Sequence, residues 1–134
     1  MSWTYSCPDC GGVVNPDETV ILLAERGGVH CLLGFHPAPG NYTLYSPPGV
    51  DINRGDAWNF FCPICRSPLL SNEHPNLCAL TVWQGQERRR VLFSRIAGEQ
   101  ATYIVQDEVT AVRRPQKPQI QTIGQDANKY ENTA

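Results

Sequence analysis

The stretch "FFCPICRSPL" at residues 60–69 repeats in outline "TYSCPDCGG" at residues 4–12. Each run places an aromatic residue ahead of Cys-Pro-x-Cys and then turns. A CxxC pair brings two sulfurs onto one tight turn, where both reach a single ion and backbone N–H groups point at the thiolates. Two such turns complete a tetrahedron, and zinc, whose filled d shell favours no competing geometry, suits a tetrahedral thiolate set. Cys7, Cys10, Cys62 and Cys65 are therefore the expected metal ligands. Pro8 and Pro63 set φ within each pair. Four thiolates leave a dication site negative, so Arg66, directly after the second pair, either lowers that electrostatic cost or simply faces water.

Working outward, "TVILLAERGGVHCLLGFH" (19–36) joins two runs rich in Val, Ile and Leu through Gly27-Gly28, whose freedom at positive φ suits a two-residue primed turn. With Arg26 paired to Val29, the predicted hairpin register sets Ala24 against Cys31, Leu22 against Leu33 and Val20 against Phe35, all on one apolar face. The other face carries Ile21, Leu23 and Leu32, with Glu25 opposite His30, so this sheet requires cover on both sides. Residues 37–59 are broken by Pro and Gly and read as a long ordered loop, with one short strand at Tyr42 to Tyr45. After the second pair, residues 76–106 read as a three-stranded meander turning at Gly85-Gln86 and Gly98-Glu99. Cys78, Leu80, Val82, Val91, Phe93 and Ile104 share its core face; Trp83, Arg88, Arg90, Leu92 and Tyr103 share the other.

No segment shows a helical stripe, and apart from the CPxC pairs no repeat with a period of about 20 to 50 residues is present. The expected fold is mostly β: one domain over residues 1–106, with knuckles at 7–10 and 62–65 and the meander over 77–106, then a flexible polar tail over 107–134. No window approaches the roughly 20 apolar residues that span a bilayer, and the N-terminus lacks a basic segment followed by an apolar core. A cytoplasmic protein without membrane contact is expected. In that compartment disulfides are rarely maintained, which turns the six cysteines toward metal. The net charge of −2 offers no global field for nucleic acid.

With their paired CPxC knuckles, these residues resemble the zinc-ribbon families, including the small bacterial CpXC-type domains. There is also a likeness to rubredoxins: "DAWNFFCPIC" (56–65), with Asp56 and Trp58, is similar to the run through the second rubredoxin cysteine pair, and "CPDCGG" with Pro16 to the first. The resemblance implies a double-knuckle fold around one metal, and on the rubredoxin side iron and single-electron transfer. The Cys10-to-Cys62 separation is longer than the compact rubredoxin pattern, Arg66 stands where rubredoxins carry Gly, and the meander is additional.

Two further arrangements remain open. Cys62, Cys65, His74 and Cys78 form a C-x2-C-x8-H-x3-C pattern, and Cys7, Cys10 and Cys31 with His30 or His36 supply a second set, giving two local fingers instead of one shared site. Against this, Cys31 and Cys78 fall on apolar strand faces, where free cysteine commonly packs. Separately, Trp83, Arg88 and Arg90 combine an aromatic ring with guanidinium groups, as a nucleic-acid surface would, or as a charged sheet edge would. No nucleophile in a catalytic setting and no phosphate loop is present, and four cysteines leave a metal no open position. The expected role is non-catalytic: a metal-stapled module for a protein partner or for self-association, with structural zinc and iron as the alternative.

Overall fold

The structure, a computed structural model, describes residues 3–106 and 119–130. In chain order the strands are β1 (Thr4–Ser6), β2 (Val20–Arg26), β3 (Val29–Phe35), β4 (Leu44–Tyr45), β5 (Asn59–Phe61), β6 (Leu77–Gln84), β7 (Glu87–Ser94), β8 (Thr102–Gln106) and β9 (Gln119–Ile123), followed by a 3-10 turn at Ala127–Tyr130. They form two antiparallel sheets, ordered β4-β3-β2-β5 and β1-β6-β7-β8-β9. The β2–β3 hairpin takes the predicted register, from Arg26 opposite Val29 to Val20 opposite Phe35. The meander also pairs so that its expected core face is shared, with Cys78 opposite Phe93, Leu80 opposite Val91, and Val91 opposite Ile104.

The sheets pack through these faces. Val20, Leu22, Ala24 and Leu33 of one meet Leu80, Val82, Val91 and Ile104 of the other in a single buried cluster. Each aliphatic side chain fully buried in this way contributes about 1.5–3 kcal/mol. Of the expected strand at 42–45 only Leu44–Tyr45 pairs, against Phe35 and Gly34. The end of the long loop forms β5, which the sequence reading did not separate from the knuckle.

Below the knuckles the chain halves repeat, although the sequence shows only the CPxC echo. In each half a three-residue strand enters a knuckle and a hairpin follows. The entering strands are exchanged: β1 pairs with β6 of the second half, placing Tyr5 opposite Val82, and β5 pairs with β2 of the first, placing Phe60 opposite Ala24. Phe35 and Phe93, at matching ends of the two hairpins, both pack against Phe60, with ring centroids at 5.7 and 6.0 Å.

The C-terminal segment departs from the expected tail. Strand β9 pairs with β8 from Thr102 opposite Ile123 to Gln106 opposite Gln119. The following turn buries Ala127 and Tyr130 in a second cluster with Leu77, Leu92, Ala101, Tyr103 and Val105. The Tyr103 hydroxyl donates to the Ala127 carbonyl. Glu99 accepts from the Tyr130 hydroxyl at 2.5 Å and from Lys129 Nζ at 2.9 Å. The reason is the meander's second face: Leu92 and Tyr103 are too apolar to meet water, and residues 119–130 cover them. The rest of the expected tail, 107–118 and 131–134, lies outside the described residues. Among the described residues no helix is long and apolar enough to cross a membrane.

Candidate metal centre

Both knuckles close with the same backbone bonds. The Cys7 amide donates to the Gly12 carbonyl (3.0 Å) and the Gly11 amide to the Cys7 carbonyl (2.9 Å); the Cys62 amide donates to Ser67 (3.0 Å) and the Arg66 amide to Cys62 (2.9 Å). The residue after each second cysteine must turn through the left-handed region, and Gly11 does so at φ 74°. Arg66 occupies the matching position at φ 65°, so a side-chain-bearing residue holds a conformation that glycine adopts without strain. Its side chain is exposed. Its contribution to the knuckle is its amide.

Amides also point at the sulfurs. Cys7 Sγ accepts from Asp9 and Cys10 N–H at 3.3 and 3.5 Å, Cys62 Sγ from Ile64 and Cys65 N–H at 3.3 and 3.4 Å, and Cys10 Sγ from Gly12 N–H at 3.4 Å. Such donors favour the thiolate form, which is the metal-binding form. Cys65 is lowered to about 6 by the Ser67 hydroxyl and amide. Cys7 is pushed up to about 12 by burial. A buried thiolate of this kind needs a cation beside it.

The knuckles face each other. Cys7 Sγ lies 3.8 Å from Cys65 Sγ, and Cys10 Sγ lies 3.8 Å from Cys62 Sγ. The four sulfurs all lie within 4.8 Å of one another. A disulfide would bring a pair to about 2.05 Å, whereas a tetrahedral ion with ligands at about 2.3 Å spaces its sulfurs by about 3.8 Å. The donor set therefore suits a metal ion and not a disulfide. Cys7 and Cys62 are buried while Cys10 and Cys65 are exposed, so the centre has a buried inner side and an outer side toward solvent.

The centre's position follows from the exchanged strands. The first knuckle enters from β1 in the five-stranded sheet and leaves through Val14, whose amide bonds the Tyr5 carbonyl at 2.9 Å and whose carbonyl accepts from Ile21 of β2 at 2.9 Å. The second enters from β5 in the four-stranded sheet and leaves through Leu69, whose amide bonds Phe60 at 2.9 Å and whose carbonyl accepts from Ala79 of β6 at 2.8 Å. Each knuckle thus touches both sheets. The cysteine cluster joins the layers at one end.

Among the described residues, this is the one group of three or more His, Cys, Asp or Glu side chains arranged to hold a metal. The two-finger pattern is not assembled there. Cys78 is fully buried within the core, and Cys31 packs half-buried against it. His74 accepts the Asn76 amide at 3.0 Å through Nδ1 and packs edge-on against Tyr130. Trp83 stands opposite Arg88. Arg90 forms an ion pair with Glu73, and Arg89 with Glu87, which gives these guanidinium groups partners within the chain. Sequence reasoning missed Asn15, whose side chain accepts the Tyr5 amide and donates to the Trp3 carbonyl, both at 2.7 Å, clamping the strand that carries Cys7. An isolated Asn before Pro carries no signal for a partner that distant.

Comparison with known proteins finds no matching family model, no matching curated protein and no matching solved structure.

Proposed function

We propose that this is a non-catalytic protein in which one zinc ion, held by Cys7, Cys10, Cys62 and Cys65, staples two β-sheets into a module that docks a protein partner. The observation that carries the reading is the four-sulfur cluster, all within 4.8 Å of one another and with Cys7–Cys65 and Cys10–Cys62 at 3.8 Å across the knuckles, each knuckle bonded to both sheets. Four protein thiolates leave a zinc ion no open position for substrate, which supports a structural role over a catalytic one. The test is elemental analysis with an absorption spectrum on protein purified without added metal. One zinc per chain and no colour is the expected result. One iron with visible thiolate bands would establish the electron-carrier alternative, two zincs would require a second site using Cys31, His74 or Cys78, and metal-free folded protein would refute the staple.

The docking face we propose is the outer side of the four-stranded sheet. Leu32 and Tyr45 are 53% and 51% exposed there, beside half-buried Ile21 and Leu23. A second copy or another protein covering this face would remove contiguous apolar surface from water. Light scattering of the full chain and of Leu32→Asp separates these cases: a dimer lost in the variant identifies self-association. A monomer whose partner binding survives Leu32→Asp removes this face from consideration.

A further inference from the structure

Between the two sheets lies a cavity of about 250 Å³. Phe35, Phe60, Phe93 and Trp58 line it, with Leu22 and Leu33 from the four-stranded sheet and Leu80 and Val91 from the five-stranded one. No cysteine lines it. The lining runs from fully buried Leu33 out to exposed Asn41 and Thr43, so the space reaches solvent at the loop after β3. Protein interiors pack densely, with few voids larger than a water molecule. A solvent-connected space of this size, walled by apolar side chains, is suited to a guest from outside the chain.

We infer that this cavity binds a compact, uncharged apolar molecule, held by packing alone. The polar groups of the wall decide the class, because they are already spent within the chain. The Tyr5 hydroxyl donates to the Pro37 carbonyl at 2.6 Å. The Tyr42 hydroxyl donates to the Ile123 carbonyl at 3.1 Å and bonds the Thr102 hydroxyl at 2.9 Å. Thr43 Oγ1 donates to Asn41 Oδ1 at 2.7 Å, and Ser94 Oγ to Glu99 at 2.5 Å. Glu99 also accepts from Tyr130 and Lys129. Arg95 donates through Nη1 to Asn59 Oδ1 at 2.8 Å and through Nε to the Pro75 carbonyl at 3.1 Å. The Trp58 Nε1 is fully buried and presents no surface to the space. A charged guest would therefore lose its hydration without gaining a counter-charge. An apolar guest gives up nothing comparable and leaves water. As to size, an apolar cavity of about 150 Å³ accepts benzene, so this one accommodates roughly ten non-hydrogen atoms. Its aromatic walls pack well against the edges and faces of a flat ring, which makes indane a suitable probe.

The test is a titration of the metal-loaded full chain with indane and with indane-2-carboxylate, the same ring bearing a charge, followed by the shifts of backbone amide resonances. Indane should produce saturable shifts centred on the cavity lining, from Leu33 and Phe35 to Phe60 and Phe93. The carboxylate should bind about tenfold more weakly or worse, since nothing at the wall is free to replace its hydration. Ala38→Phe, on the half-buried loop at the cavity wall, should abolish indane binding while keeping the wild-type circular dichroism spectrum. No saturable shift up to the solubility limit of indane overturns the site, and so do shifts centred instead on Ile21, Leu23 and Leu32 of the outer sheet face. Undiminished indane binding in a folded Ala38→Phe protein would also overturn it. Equal binding of the carboxylate overturns the ligand class.

Discussion

Replacing Cys62 by Ser removes one ligand from the inner side of the cysteine cluster, where the side chain is fully buried. The consequence reaches beyond one bond, because the second knuckle enters from the four-stranded sheet and leaves onto the five-stranded sheet. Apparent binding free energies of structural zinc are on the order of 10 kcal/mol or more, all of it available to the folded state. A whole domain is stable by only about 5–15 kcal/mol. Losing most of the metal term therefore removes a free energy comparable with the net stability, and the two layers should lose their cooperative packing. Thermal melting followed by circular dichroism, with colorimetric zinc release, reads both parts. Wild-type protein should show one sharp transition and release metal at the same temperature. Cys62→Ser should bind metal weakly and show no cooperative transition, and strong chelation of wild type should produce the same state. Cys31→Ser is the control, because that half-buried thiol lies outside the cluster. A Cys62→Ser protein that melts within a few degrees of wild type would refute the staple, since on the usual scaling such a change corresponds to only about 1 kcal/mol.

Three other outcomes are expected. Gly11→Ala should destabilise by roughly 1 kcal/mol, because its φ of 74° strains any side chain although nothing lies within 4 Å of the added Cβ, while Arg66→Gly should be neutral or stabilising; urea titration of both variants checks the pair. Gly124→Ala should release the C-terminal turn: its φ is 104° and an added Cβ would lie 2.2 Å from the Gln100 carbonyl oxygen, so amide exchange in 119–130 should accelerate while β2–β3 stays protected. Acid should weaken the same docking. Burial acts to raise the Glu99 carboxyl, but Ser94, Tyr130 and Lys129 hold it below its ordinary value of 4.5. A depressed carboxyl stabilises the fold above its unfolded value and loses that contribution as pH falls through the folded one. Exchange protection of residues 119–130 should therefore decline below about pH 4.5, and Glu99→Gln should abolish that pH dependence; unchanged dependence in the variant would reject the assignment.

Several features were legible before any fold was known. The four-cysteine cluster was, because a CxxC pair is a local object whose chemistry depends on residue type and spacing. The β2–β3 register was, because Gly27-Gly28 determines the turn and a one-residue slip would turn every apolar side chain to the wrong face. The meander's alternation assigned its core face for the same reason. By contrast β1 and β5 are three residues long and carry too little pattern to announce a partner. The strand and turn at 119–130 were hidden by their Gln-rich, polar composition, which outweighs the few apolar residues that bury.

The features written into the chain are local: four cysteines on two tight turns, and strands whose side chains alternate at a period of two. Which distant segments meet emerges only in the packed fold. The exchange of β1 and β5 places the four-cysteine cluster between the sheets, the C-terminal turn covers Leu92 and Tyr103, and a cavity remains beside Trp58. Each depends on the fit of surfaces far apart in the chain. A short stretch records its own turn and its own faces, but the identity of its neighbour emerges only when all the faces are packed together.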